Sequence, residues 1–154
     1  MTRGTLTGAQ ARTTSGRPWH LWVIGTIGVL WSAMGVVSFV LTQMNVEAVM
    51  SQFPPEQREY FASFPLWADA CWAMGVFSSL IGCLLLLLKS RLAFSFLLAS
   101  AIGALGSSLG GLLLLGGMEV MRRTGGLGLT LVPIVFGAVL AYYARAMSKK
   151  GVLR

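Results

Sequence analysis

The sequence predicts an all-α protein: a bundle of four transmembrane helices with both termini in the cytoplasm and short interfacial helices in the first outer loop. Two features of its 154 residues lead to this fold class. Hydrophobic residues make up 55% of the chain and charged residues 11%, whereas a soluble domain has about 25% charged residues. The apolar residues also gather in four blocks, each of roughly the length that crosses a hydrocarbon core of about 30 Å. These features exclude a soluble enzyme, a disulfide-rich secreted module and a disordered chain.

The four blocks predict membrane spans at residues 21–41, 66–88, 92–115 and 127–147. Together they form a transmembrane domain over residues 19–147. A flexible cytoplasmic tail at residues 1–18 precedes it, and a basic cytoplasmic tail at residues 148–154 follows it. The first block is too long for the core of a signal peptide, and no small-residue cleavage site follows it. We therefore expect it to be retained as a signal anchor.

The loop between the first two spans contains two amphipathic stretches separated by Pro54 and Pro55. The first stretch opens with Asn45, a residue type that often caps helix N-termini. In the second stretch, Pro55 suits the first position of a helix, and the helix dipole then favours the negative charge of Glu56. We expect one or two short helices lying on the outer membrane surface. The later turn at Lys89-Ser90-Arg91 is so short that the second and third spans must be antiparallel neighbours.

The basic residues are distributed unevenly between the two sides of the predicted bundle. Nine lie on the side that holds both termini and the second loop, against three in the first and third loops. Because short cytoplasmic loops carry an excess of Lys and Arg, this predicts a bacterial inner-membrane protein with both termini inside. The excess also favours anionic lipid headgroups, so the lipid bilayer, and not nucleic acid, is the expected partner. The nine are Arg3, Arg12, Arg17, Lys89, Arg91, Arg145, Lys149, Lys150 and Arg154.

Small residues at helical spacing predict where the spans pack against each other. In lipid, helices associate where small side chains let their backbones approach closely. Gly75 and Ser79 lie on such a stripe in the second span, and Gly103, Ser107 and Gly111 form another in the third. We expect these two faces to be helix-packing surfaces.

A short repeat links the first two spans. The sequence AMGVVS at residues 33–38 agrees with AMGVFS at residues 73–78 in five of six positions. Chance agreement, which is common because membrane spans use few residue types, and duplication of a segment are two explanations for this repeat. Since both motifs fall in the outer half of the bilayer, we expect the two spans to cross closely near Gly35 and Gly75, with Cα atoms within about 10 Å.

Few residues could carry out chemistry within the membrane. The chain has one histidine, His20, at an interface, and no acid within the first, third or fourth span. We therefore predict no enzymatic activity, catalytic residue, cofactor or metal site. Asp69 is the one ionisable residue near the hydrocarbon, about 5 Å inside the second span. Helix capping or an ion pair with Arg122 or Arg123 is the favoured role for Asp69, and proton coupling is the alternative.

Four stretches of the chain resemble a family of small proteobacterial four-helix membrane proteins. They are RPWHLW at residues 17–22, QFPPEQ at 52–57, YFASFPLW at 60–67 and LLLLLK at 84–89. The resemblance covers residues 17–115 and implies a four-helix fold; the family has no established activity, although some members carry an automatic label as sugar transporters. Members often have an Asn and then an Asp-Tyr pair late in the first span, where this chain has Ser32, Ser38 and Phe39. If that acid serves transport, its replacement argues against transport here.

The sequence leaves two hypotheses for the function. The first is a structural, accessory or interaction role, and the alternative is an oligomeric small-molecule transporter or channel. Four helices alone rarely enclose a substrate cavity, so transport would require a homo-oligomer or a larger membrane complex. A transporter would bring Asp69, Ser78 and Ser107 or Ser108 together at a wet cavity. An accessory protein would instead have dry packing and an exposed patch of small or aromatic residues.

Overall fold

The computed structural model describes residues 19–153 of the chain, without the side chain of Leu129. Within these residues the structure is all α-helical and has seven helices. The tail predicted at residues 1–18 lies outside the described residues. The helices are α1 (Trp19–Gln43), α2 (Glu47–Met50), α3 (Pro55–Ala62), α4 (Leu66–Leu87), α5 (Leu92–Leu114), α6 (Gly117–Arg123) and α7 (Leu127–Lys149).

Four of these helices, α1, α4, α5 and α7, are long and apolar enough to cross a membrane. This confirms the prediction of an all-α protein with four helices long and apolar enough to be membrane spans, and the helix bounds lie within two residues of the predicted ones. The long helices pack side by side in the order α1, α4, α5 and α7. The bundle therefore has a terminus side, where α1 begins and α7 ends, and a loop side, which carries α2, α3 and α6.

A residue in the left-handed conformation ends each of the first two spans. Asn45 follows α1 with a φ of 53°, and Lys89 follows α4 with a φ of 58°. After Asn45, the N–H of Val46 donates to the carbonyl of Leu41 at 3.1 Å, a hydrogen bond typical of a Schellman cap. The prediction that Asn45 caps the next helix is therefore wrong: α2 begins after Val46, and Asn45 terminates α1.

An apolar core fills the terminus half of the bundle. The carbonyl of Leu153 accepts a hydrogen bond from Nε of Arg91 at 3.3 Å, and its side chain is fully buried. The last described residues thus fold back onto the bundle after α7, which continues through Lys149. The largest fully buried side chains are Leu21, Leu86, Leu97, Leu140, Leu153 and Cys83.

Of the three short helices on the loop side, α3 and α6 pack against each other. As predicted, α3 begins at Pro55 and has Glu56 in its first turn. The third loop contains a helix that was not predicted, α6, with Glu119 in its first turn and Arg122 and Arg123 in its last. These charges complement the helix dipole at both ends. Because α3 packs against α6, the first and third loops form one layer over the bundle.

Candidate functional site

Backbone meets backbone where α4 packs on α5. A Cβ atom added to Gly103 would lie 2.6 Å from the backbone nitrogen of Gly75 and 2.7 Å from the carbonyl oxygen of Cys71. A side chain at Gly103 would push the two helices apart, which is why small residues mark such contacts in membrane proteins. Helices α4 and α5 therefore form a tight pair, with α1 on one flank and α7 on the other.

A cavity of about 630 Å³ lies between the four long helices, in the loop half of the bundle. Its volume falls within the range of about 300–1,000 Å³ that is typical of small-molecule sites. Every described side chain that lines it is uncharged. The hydrogen-bonding groups come from all four long helices and from the first loop. They include Ser32, Ser38, Gln52, Gln57, Tyr60, Ser79, Ser100, Ser107, Ser108 and Thr130.

The floor of the cavity is a buried hydrogen bond between α1 and α4. The Oγ atoms of Ser32 and Ser79 are 2.7 Å apart, and Sγ of Cys83 lies 3.8 Å from the Ser32 oxygen. Cys83 belongs to the apolar core that fills the terminus half. The cavity is therefore closed toward the terminus side.

Aromatic side chains of the first loop cover the cavity on the loop side. Phe53, Tyr60, Phe61 and Phe64, here named the aromatic roof, all line the cavity. Their rings contact one another with centroids 5.0 to 5.6 Å apart, and Phe61 stacks on Trp72 of α4 at 5.9 Å. Each such pair adds about 0.5–1.5 kcal/mol beyond burial, so the roof is a packed cluster.

Contacts with α5 and α6 hold the aromatic roof in place. Gly111 and Gly117 leave room for the Tyr60 hydroxyl, because a Cβ at either glycine would clash with that oxygen. Next to it, Nε2 of Gln57 donates to the hydroxyl of Thr124. Burial raises the pKa of Tyr60 above its ordinary value of 10.0. The neutral phenol therefore suits this site better than the phenolate.

One edge of the cavity, between α1 and α7, is less tightly closed. Among residues 19–153, these two helices have little direct backbone contact and meet through side chains. The rings of Trp31 and Phe136 lie with centroids 5.2 Å apart. Met34 of α1 and Pro133 of α7 both line the cavity although both are exposed. The cavity therefore reaches the surface of the bundle along this edge.

The polar residues predicted as functional or structural lie apart from the cavity. Asp69 is half-buried in the first turn of α4 and forms no ion pair among the described residues. Arg123 pairs instead with Glu119, with Nε and Oε1 2.8 Å apart in an exposed position. Arg122 is exposed in the same last turn of α6. The structure thus does not bring these three predicted residues together.

At the predicted crossing of the first two spans, Gly35 of α1 contacts Val76 of α4 and not Gly75. A Cβ added to Gly35 would lie 3.6 Å from Cγ1 of Val76, whereas one added to Gly75 would face the α5 backbone at Ala104. Gly35 therefore packs on α4 beside Gly75 but not against it. On α4, Gly75 and Gly82 therefore face α5, whereas Ser79 faces Ser32 of α1.

Some of the polar residues that were predicted to be functional or packing residues line the cavity, and others do not. Ser107 and Ser108, which were expected at a transporter cavity, line it, and so does Ser79, which was predicted as a packing residue. Asp69 and Ser78 were expected there too, but they do not belong to the lining. The polar groups of this largely apolar lining are therefore hydroxyls, amides and indole N–H groups, and no described carboxylate is among them.

Ser32 is a central lining residue that sequence reasoning missed. The sequence pattern that could have pointed to Ser32 is a stripe of small residues on α1. Gly25, Gly28 and Ser32 follow one another at intervals of three and four, and all three are buried. That spacing marks the face of a helix that packs inward. The stripe could have identified Ser32 as an inward hydroxyl, but not as part of a cavity.

Comparison of the chain with known protein families, with curated proteins and with solved structures found no match. Within residues 19–153, no three His, Cys, Asp or Glu side chains cluster as a metal ion would require. The cavity and the helices around it are therefore the features of the described residues that bear on function.

Proposed function

We propose that this chain is a multi-pass inner-membrane protein whose cavity binds a small uncharged molecule with several hydrogen-bonding groups. The observation that carries the proposal is the cavity of about 630 Å³ with an uncharged, hydroxyl-rich lining. A charged ligand would lose its hydration here without meeting an opposite charge, at a cost of several kcal/mol. An uncharged ligand can exchange its hydrogen bonds to water for bonds to serine and glutamine side chains.

The cavity favours the transport hypothesis over a purely structural or accessory role. Dry helix packing would suit an accessory protein, whereas a hydroxyl-lined space has the size and chemistry of a binding site. In this conformation the apolar core blocks the way to the terminus side. Transport then requires a second conformation or a partner. We therefore propose a binding subunit of a transporter or channel, working as a homo-oligomer or in a larger membrane complex and performing no chemical reaction.

We further propose that the loop side faces outward and that both termini are cytoplasmic. Support comes from the nine basic residues of the termini and second loop, against three in the other two loops. A fluorescent-protein fusion after Arg154 should fluoresce in the cytoplasm, and an alkaline phosphatase fusion at the same place should be inactive. The opposite pattern would overturn the orientation.

Ligand-dependent thermal stabilisation tests the binding proposal. The purified protein in an uncharged detergent would be heated with polyols, quinones and acylglycerols, and separately with carboxylates, phosphates and amines of similar size. We expect at least one uncharged class to raise the Tm in a saturable way. A ligand that binds only the folded state stabilises it by about 2.7 kcal/mol at 100 times its Kd.

Two serine substitutions provide matched variants for this experiment. Ser108→Leu would fill the cavity and should abolish the Tm rise. Ser78→Leu is the same change at another half-buried serine that lies outside the lining, and it should preserve the rise. A response restricted to charged compounds, a response that survives S108L, or no response to any class would each count against the proposal.

A further inference from the structure

We infer that the ligand is an uncharged lipid of the acylglycerol type, with a hydroxyl-bearing headgroup, and that it enters the cavity sideways from the bilayer between α1 and α7. This inference rests on the proposed function, because it names the ligand class and the route into the same cavity. A groove beside the cavity, the exposed edge between α1 and α7 and the neutral lining support it together.

An apolar groove of about 210 Å³ lies between α1 and α7, on the terminus side of the cavity. Phe136 lines both the groove and the cavity, so the two spaces adjoin at this ring. A lipid whose headgroup lies among the serines can therefore lay a hydrocarbon chain along the groove. The groove is lined by Ile24, Ile27, Phe136, Val139, Leu140 and Tyr143.

The line along which α1 and α7 meet, here named the α1–α7 seam, is held together by a hydrogen bond at its terminus end. There Nδ1 of His20 and the hydroxyl oxygen of Tyr143 are hydrogen-bonded at 2.6 Å. Further along the seam the helices meet through the rings of Trp31 and Phe136. In the loop half of the bundle, beyond these rings, α1 and α7 can therefore separate most easily.

Protein side chains cover two other sides of the cavity. The aromatic roof lies over the loop side, where Gln52 is exposed, and the Ser32–Ser79 hydrogen bond and the apolar core close the terminus side. Met34 lines the cavity with 59% of its surface exposed. Because the outer surface of a four-span bundle is surrounded by lipid, the opening beside Met34 leads to hydrocarbon.

The lining of the cavity favours lipids whose headgroup carries no charge. A phosphate group is bound by Arg, Lys or positive helix ends, and the described lining side chains are all uncharged. Serine hydroxyls and glutamine amides both donate and accept hydrogen bonds, as the hydroxyls and ester carbonyls of an acylglycerol require. The cavity therefore suits a neutral headgroup better than a phospholipid headgroup.

Quenching of tryptophan fluorescence tests this inference. Of the five tryptophans, three are exposed and would be replaced by Phe, namely Trp19, Trp22 and Trp67. Trp31 and Trp72 remain, and both line the cavity. The protein in phosphatidylcholine nanodiscs would be titrated with dioleoylglycerol brominated at its double bonds, and separately with phosphatidylglycerol brominated in the same way. We expect saturable quenching by the diacylglycerol, at least about threefold greater than by phosphatidylglycerol at equal mole fraction.

Two valines of α7 provide the matched control. Val139 lines the groove and Val135, one turn earlier, does not, although their exposed fractions are similar at 58% and 62%. V139F should raise the half-saturating mole fraction of brominated diacylglycerol at least about fivefold, and V135F should leave it unchanged. The Tm of each variant without ligand checks that both are folded.

The outcomes separate this inference from the proposed function. Equal quenching by the two brominated lipids, or equal half-saturation in V139F and V135F, would overturn the lipid inference. If water-soluble uncharged compounds still raised the Tm of the wild type but not of S108L, cavity binding would stand and the lipid and its route would be wrong. If neither quenching nor stabilisation occurred, both proposals would be wrong.

Discussion

Ser32 of α1 and Ser79 of α4 share a hydrogen bond of 2.7 Å, and both side chains are buried. The bond lies at the level where the apolar core gives way to the cavity. It joins two helices, whereas the hydroxyl of Ser107 donates to Ala104 of its own helix at 3.4 Å. The pair therefore stabilises the α1–α4 contact and forms the floor of the cavity.

A double-mutant cycle should measure this interhelical bond. With Ser32→Ala, Ser79→Ala and the double variant, we expect a coupling free energy of about 0.6 kcal/mol and no more than about 1.7 kcal/mol, the values found for hydrogen bonds between membrane helices. Reversible unfolding in mixed micelles gives the free energies. Ser78→Ala is the control and should show no coupling to Ser32→Ala. A cycle with zero coupling for the Ser32–Ser79 pair would contradict the bond.

Gly103→Ala should lower the free energy of unfolding by about 1–3 kcal/mol, the usual effect of overpacking. The new methyl group would meet backbone atoms of Gly75 and Cys71, which cannot rotate away. Gly35→Ala is the matched change, since its methyl would make an ordinary contact with Val76 at 3.6 Å, and it should change the free energy by less than about 1 kcal/mol. Unfolding of the two variants in the same detergent tests this difference, and equal losses would refute it.

The four long apolar helices were predictable because lipid imposes strong constraints on a helix that crosses a membrane. A span must be apolar, must satisfy its backbone hydrogen bonds internally and must reach across the hydrocarbon. No such constraint acts on α6, whose seven residues include Glu119, Arg122 and Arg123. Asn45 shows a different limit of prediction from sequence. Its side chain suits a helix N-cap, and its backbone also suits the left-handed position after a helix, so the residue type alone does not decide between the two.

The cavity was not predictable from the same patterns. Hydroxyls in membrane helices bond to their own backbone, to another helix or to a ligand, and the sequence does not distinguish these cases. Ser107 donates to its own helix and lines the cavity at once, while Ser79 bonds to α1. Whether a void remains above them depends on how Tyr60 and Phe64 of the first loop pack onto the bundle. Those contacts join segments that are distant in the chain.

Gln57→Leu should loosen the aromatic roof. The buried Gln57 amide donates to Thr124, and a hydrogen bond of this kind contributes about 0.5–1.5 kcal/mol. Its loss should speed amide hydrogen exchange in α3 about fivefold, as a change of about 1 kcal/mol implies. Gln52→Leu is the control, because the exposed Gln52 amide bonds only locally, to the carbonyl of Ala48 at 3.0 Å. Faster exchange of α3 in Q52L than in Q57L would contradict this role for Gln57.

Tyr60 should make the stability of the roof depend on pH at the alkaline end. Burial raises the pKa of Tyr60 in the folded protein above the ordinary value of 10.0, so folding favours the neutral phenol. Its contribution is fully present below pH 10 and is lost as the pH rises through the folded-state pKa. The free energy of unfolding should therefore fall more steeply above pH 10 in the wild type than in Tyr60→Phe. Absorbance at about 295 nm, taken as wild type minus Y60F, follows phenolate formation, and a component that titrates at or below pH 10 would refute the burial of this hydroxyl.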